Sequence, residues 1–190
     1  MGQYCPIAFF TVIPARKVRS LKAEQTEPTA WYGTRFRVRY QESDQMGVVY
    51  HANYVNWFEI GRTEMIRSLG FSYRSMEEQG VLLPVIGLDL KYKLPAKYDD
   101  YITVWTRINN FSSVRLHYEY EVRREDIAAD KIQMDNKEVV WMTEELPGEL
   151  LVTGSTQHVW VNADFKPVRL DKSVPNLYDA LKRAVSIGRE

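Results

Sequence analysis

Residues 54–69 constrain the fold of this chain more than any other stretch. Tyr54, Phe58, Gly61, Met65 and Leu69 recur at the spacing of one helix face. Val55 and Ile66 lie beside that stripe. Trp57 and Ile60 carry apolar surface so far round that the first half of the helix is predicted to be buried almost on all sides. Gly70 supplies the stop, because glycine most easily takes the left-handed conformation just past a helix end. A helix this apolar has to be wrapped by other elements, and the remaining patterns are mostly strands.

Residues 34–42 alternate as a half-buried strand, with Phe36, Val38 and Tyr40 against Arg35, Arg37 and Arg39. After the helix, residues 72–79 predict one further helical turn. Residues 81–88 read as a buried strand in which Pro84 marks a bulge or an edge, continued with alternation to Leu94. Residues 101–108 and 114–122 alternate again, and the polar link at Asn109 and Asn110 predicts an antiparallel hairpin. Residues 150–162 form the last strand, and residues 175–188 a terminal helix carrying Leu177, Ala180, Leu181 and Ala184. One buried helix with a strand before it and four or five after it is an α+β layout. A single sheet round one helix leaves its edges and outer face poorly covered, so association with further copies of the chain is expected.

Between the first strand and the helix runs a polar loop holding one carboxylate, Asp44, and one imidazole, His51, seven residues apart. The first turn of a helix offers unpaired N–H groups and partial positive charge, which suit an oxyanion. A carboxylate beside those donors can activate water or attack an acyl carbon. The same spacing is equally served by Asp44 and Asn53 acting as turn and capping residues.

The residues Tyr40, Asp44, Gly47-Val48-Val49-Tyr50-His51, Asn53-Tyr54, Trp57-Phe58-Glu59 and Arg62 resemble the signature of hot-dog-fold acyl-CoA thioesterases. The branch they resemble is that of 4-hydroxybenzoyl-CoA thioesterase. Pro95-Ala96-Lys97-Tyr98-Asp99-Asp100 and Thr153-Gly154-Ser155-Thr156-Gln157-His158 fit the same family in the expected order. The resemblance covers about residues 34–170, less an insertion near 125–149. It implies an antiparallel sheet of five or six strands wrapped around one long central helix. It further implies hydrolysis of an acyl- or aroyl-CoA thioester to the free acid and coenzyme A, by a homo-oligomer built as a dimer or dimer of dimers. Coenzyme A is then part of the substrate, and no separate cofactor is expected.

The resemblance makes Asp44 the catalytic carboxylate, as general base or nucleophile, with Tyr40 and His51 in support and a helix N-terminal amide near His51 facing the thioester oxygen. Gly47, Val48, Tyr50, Tyr54, Trp57 and Phe58 are the candidate substrate-binding residues, although helix aromatics serve equally well as core. Glu42 stands where many relatives have Asp, and either holds structure or acts on Asp44 by like-charge repulsion. Glu59 and Glu64 suit salt bridges with Arg62 or Arg67. His117 and His158 fall in strand patterns and read as structural. Lys91, Lys93, Lys97, Arg115 and Arg123 are candidate partners for the coenzyme A phosphates. Two rival classes share the fold: a non-catalytic acyl-CoA-binding or regulatory module, and another enzyme such as an acyl-thioester hydratase or dehydratase.

A chain of 190 residues fits one domain over residues 31–190, preceded by an extension over residues 1–30. In that extension, basic residues follow rather than precede an apolar run, the reverse of a secretory leader. The acidic insertion near 125–149 contains Val139-Val140-Trp141-Met142 and reads as a solvated loop or a longer hairpin, with a lid over the pocket as the second reading. Twenty-five basic residues balance 25 acidic ones, which gives no argument for a nucleic-acid partner. One cysteine and three scattered histidines offer no internal disulfide and no metal-ligand spacing, and fit a reducing cytoplasm. No apolar run is long enough to span a membrane.

Overall fold

The computed structural model describes residues 30–125, 140–142 and 145–186. The long helix α1 spans Asn53–Ser68, with Leu69 as its C-cap and Gly70 following at φ 88°. Around it lie six strands: β1 (Trp31–Arg37), β2 (Val85–Tyr92), β3 (Tyr101–Phe111), β4 (Arg115–Arg124), β5 (Val140–Met142) and β6 (Glu149–Val159). They form one antiparallel sheet in the order β2-β6-β4-β3-β1-β5. A short helix α2 (Tyr73–Glu78) follows α1, and α3 (Leu170–Ser173) and α4 (Pro175–Ser186) close the described chain. The Ser72 hydroxyl accepts the N–H of Ser75, which caps α2 where the sequence predicted the turn.

One face of the sheet receives α1. Val104, Thr106 and Ile108 of β3 stand opposite Val122, Tyr120 and Tyr118 of β4, so all six share that face and all are buried. The approach is close because two glycines leave room. A Cβ on Gly61 of α1 would lie 2.5 Å from Thr106 Oγ1, and one on Gly154 of β6 would lie 2.5 Å from Phe58 Cε2. Phe58 uses that room to stack on Tyr120, with ring centroids 4.2 Å apart. Trp57, Phe58, Met65 and Ile66 are all 0% exposed, which stabilises the domain by roughly 1.5–3 kcal/mol per side chain. Leu177 and Leu181 of α4 join the same core.

Several expectations are corrected. The alternation of residues 34–42 outlasts the strand: β1 ends at Arg37, and Tyr40–Glu42 is a 3-10 turn. Val38 still buries its side chain, but its N–H goes to the Asp100 carbonyl (2.9 Å) as the chain leaves the sheet. The first half of α1 has one wet face, with Asn56, Glu59 and Ile60 exposed, because nothing in the described chain covers it. The apolar run after α2 is not a buried strand. It forms the sheet edge with a register shift between Val85 and Gly87, as Pro84 indicated, and Val85, Ile86 and Leu88 are about half exposed.

The β3–β4 turn falls at Ser112 rather than at Asn109 and Asn110, which lie in β3 where a bulge absorbs one residue. Ser112 closes that turn, its N–H donating to the Arg115 carbonyl and its hydroxyl accepting the Arg115 N–H. Among the described residues the insertion does not pair as a hairpin arm with β6. Its strand β5 crosses to the far edge and pairs with β1, Tyr32 opposite Trp141. Residues 126–139 and 143–144 of the insertion, residues 1–29 and the last two residues expected of the terminal helix lie outside the described residues.

Candidate active site

The loop between the 3-10 turn and α1 folds back on itself. The Asp44 N–H donates to the Val48 carbonyl (2.8 Å), Tyr50 N–H to the Glu42 carbonyl (2.8 Å) and Gly47 N–H to the Asp44 carbonyl (3.0 Å). Gly47 turns the chain at φ 73°, where a Cβ would be strained. Asp44 Oδ1 accepts the Met46 N–H at 2.8 Å, a local turn that fixes the carboxylate. Its second oxygen accepts no hydrogen bond among the described residues, and the side chain is half-buried.

The loop runs directly into α1. Ala52 is the N-cap and has no side chain with which to cap, so the first turn keeps unpaired donors. Asn53 and Val55 N–H groups donate to the Tyr50 and Ala52 carbonyls, whereas those of His51 and Ala52 find no acceptor among the described residues. The chain thus presents a carboxylate with one oxygen free among the described residues, in the loop that leads into a helix N-terminus with free N–H groups.

Two anchors hold this arrangement. Ala96 accepts the Val49 N–H (2.8 Å) and donates its own N–H to the Tyr54 hydroxyl (2.9 Å), locking the 95–100 segment onto both loop and helix. Glu42 forms the other. Its carboxylate accepts the Trp57 indole N–H (2.8 Å) and the Arg39 backbone N–H (2.7 Å), and its carbonyl accepts the Asn53 side-chain amide (2.8 Å).

Residues 46–130 match the model of the family described as the thioesterase superfamily. A candidate acyl-CoA thioesterase of Bacillus subtilis, YneP, is 35% identical over 77% of this chain and 92% of its own length. The chain belongs to the thioesterase superfamily. The acyl-CoA thioesterase YbgC of Haemophilus influenzae is 35% identical over 50% of this chain and 71% of its own. The crystal structure of a DHNA-CoA thioesterase from Staphylococcus aureus superposes with a TM-score of 0.67 at 36% identity, covering 80% of this chain and 89% of that one. The fold is the hot-dog fold, and this member of the thioesterase superfamily is an enzyme of the thioester-hydrolase class.

For a thioesterase-superfamily chain, the remaining site candidates separate into two groups. Gly47 and Tyr50 are exposed on the loop and Val48 is half-buried, whereas Tyr54, Trp57 and Phe58 are core. Burial raises the Tyr54 hydroxyl above its ordinary range. His51 is exposed; its ring lies 4.2 Å from that of Tyr50, and its carbonyl accepts the Tyr92 hydroxyl at 2.9 Å. Tyr40 is 80% exposed and rests edge-on against Tyr98. No hydrogen bond joins Asp44 to His51 or Tyr40 among the described residues.

His158 sits in the core, its Nε2 2.8 Å from the Thr156 hydroxyl. Burial, aided by the Arg62 charge, pushes its pKa down to about 4. His117 is lowered by partial burial and by Arg115. Glu59 and Glu64 pair with Arg62 and Arg67. Of the cationic candidates, Arg123 is held by Glu121 and the Gly148 carbonyl, while Lys91, Lys93, Lys97 and Arg115 are exposed and make no ion pair among the described residues. No group of three metal-ligating side chains occurs among the described residues, and no helix there is long and apolar enough to cross a membrane.

Ala96 and Tyr92 were missed by sequence reasoning. They reach the site across 42 and 41 residues of chain, and one contributes only its backbone. The sole available signal was the place of Ala96 within the Pro95–Asp100 motif.

Proposed function

We propose that this chain hydrolyses an acyl- or aroyl-CoA thioester to the free acid and coenzyme A, with Asp44 as the catalytic carboxylate. The observation that carries the reading is the free oxygen of Asp44, fixed in a loop that opens onto the uncapped N-terminus of α1. Thioester hydrolysis requires a water or nucleophile at the carbonyl carbon and donors for the oxygen that becomes negative. Asp44 meets the first need. The N–H groups of His51 and Ala52 meet the second, at about 3 kcal/mol per donor in a pre-organised site.

His51 and Tyr40 flank the entrance as exposed supporting groups. Gly47, Val48 and Tyr50 meet the substrate, and Tyr54, Trp57 and Phe58 shape the site from behind. The catalytic unit is one domain over residues 31–190, working in the cytoplasm without a further cofactor. It assembles as a dimer or dimer of dimers with sites at the subunit interfaces, a reading supported by the half-exposed apolar side chains of the β2 edge.

Positioned general-base catalysis contributes roughly 10²–10⁴-fold, so Asp44→Asn is expected to lower kcat by about that factor on a panel of acyl-CoA substrates. His51→Ala is expected to cost less, because the backbone donors remain. Single turnover in ¹⁸O-water tests the nucleophilic route: label on the Asp44 carboxylate shows that Asp44 attacked the thioester, expelled the coenzyme A thiolate and was released by water at the aspartyl carbon of the mixed anhydride. Near-normal activity of Asp44→Asn would overturn the site.

A further inference from the structure

We propose that Glu42 is a positioning residue for this reaction, setting where the Asp44 carboxylate lies relative to the amides of α1. The inference rests on the thioesterase reading above and assigns a role to a carboxylate that the chemistry itself does not use. Four hydrogen bonds converge on this one residue, and they tie together both ends of the site loop. On the near side the carboxylate takes the Arg39 N–H (2.7 Å). On the helix side it takes the Trp57 indole N–H (2.8 Å), while the carbonyl takes the Tyr50 N–H and the Asn53 amide (both 2.8 Å).

Trp57 is 0% exposed and wedged against Tyr54 and Phe36, with ring centroids 4.7 and 5.6 Å away, so it cannot follow Glu42 if that residue moves. The indole is therefore the fixed post and Glu42 the tie. Asp44 lies two residues further on, within the loop that this tie closes. Each carboxylate oxygen serves one N–H donor. Glutamine keeps the shape but has a single acceptor oxygen, so one of the two donors would face an amide NH₂.

The test uses the full-length chain and one acyl-CoA that the wild type hydrolyses. Glu42→Gln is expected to lower kcat roughly 10–100-fold with KM within about three-fold, since a displaced catalytic group harms the transition state more than binding. Hydrogen exchange at the Trp57 indole N–H should quicken in the same variant. Trp57→Phe removes the post itself and is expected to lower kcat as well, and because both changes break the same tie the double variant should lose little more than the worse single one. Glu42→Asp, which keeps both oxygens but shortens their reach, should also lower kcat; it provides the reading if the glutamine variant does not fold. A folded Glu42→Gln or Glu42→Asp protein with wild-type kcat, a loss confined to KM or to Tm, or a double variant whose loss is the full product of the two single losses overturns the proposal. Wild-type inactivity on every thioester tested overturns the thioesterase reading and this inference together, whereas an active wild type with an unaffected Glu42 variant overturns the inference alone.

Discussion

A Cβ at position 154 would lie 2.5 Å from Phe58 Cε2 and 2.8 Å from the Asp89 carbonyl, and neither can retreat. Phe58 is pressed face to face on Tyr120, and the carbonyl belongs to the neighbouring strand. Gly154→Ala is therefore expected to destabilise the fold by roughly 1–3 kcal/mol in urea unfolding, as overpacking does. His158 carries a different liability. It is buried neutral, with its pKa pushed to about 4 from the ordinary 6.5. Above pH 6.5 neither the folded nor the unfolded chain binds the proton. Between 6.5 and 4 the unfolded chain takes it up first, so stability falls as the pH drops through that window and this contribution levels off below it. The full loss is on the order of 3 kcal/mol. Comparing urea midpoints of the wild type and His158→Gln across that window checks it, since the variant should lose this part of the slope.

At the scale of elements, Arg124 at the end of β4 connects pieces far apart in sequence. Its guanidinium reaches Asp100 Oδ2 at 2.9 Å and also binds the Glu149 carboxylate at the start of β6. Asp100 in turn accepts the Lys97 N–H (2.8 Å), and its carbonyl accepts the Val38 N–H (2.9 Å), so the segment that delivers Ala96 to the site is held on both sides. Arg124→Ala should cost about 1–3 kcal/mol, because it strips a half-buried carboxylate of its charged donor. Arg74→Ala breaks only an exposed helix pair with Glu78 and should cost under about 0.5 kcal/mol. Denaturant midpoints of the two variants make the comparison.

The same scale shows how far the sequence could be read. Helix α1 and strand β4 were legible because their side-chain periods follow directly from burial on one face. The end of β1 was not, since Val38 goes on burying its side chain after its backbone has left the ladder. The position of β2 was half legible: an apolar run reads alike at the edge and at the centre of a sheet, and Pro84 alone pointed to the edge. The pairing of β5 with β1 depends on contacts across more than a hundred residues, which no local pattern encodes. At the site, Asp44, Gly47 and the following helix start stood out as one continuous motif. The second half of the site, the Ala96 and Tyr92 contacts, is made by tertiary structure alone.

For the whole molecule, the free edge at β2 sets the expected assembly. Val85, Ile86, Leu88 and Tyr92 are each about half exposed there, a costly surface to leave in water. Light scattering at micromolar concentration should find a dimer or larger species. Leu88→Lys should shift it toward monomer and reduce turnover together, because Tyr92 of the same strand hydrogen-bonds to the His51 carbonyl. A folded, fully active monomer would reject the interface.

The two rims of the sheet are unequal. β2 offers eight residues of strand, whereas the rim beyond β1 is occupied by the three residues of β5. Two copies that joined along β2 would use up the long rim of each, and among the described residues only the three of β5 would be left at the other rim for a third copy. Sheet-to-sheet addition by that route is expected to end at a closed pair, with no ladder among the described residues on which a fibre could start.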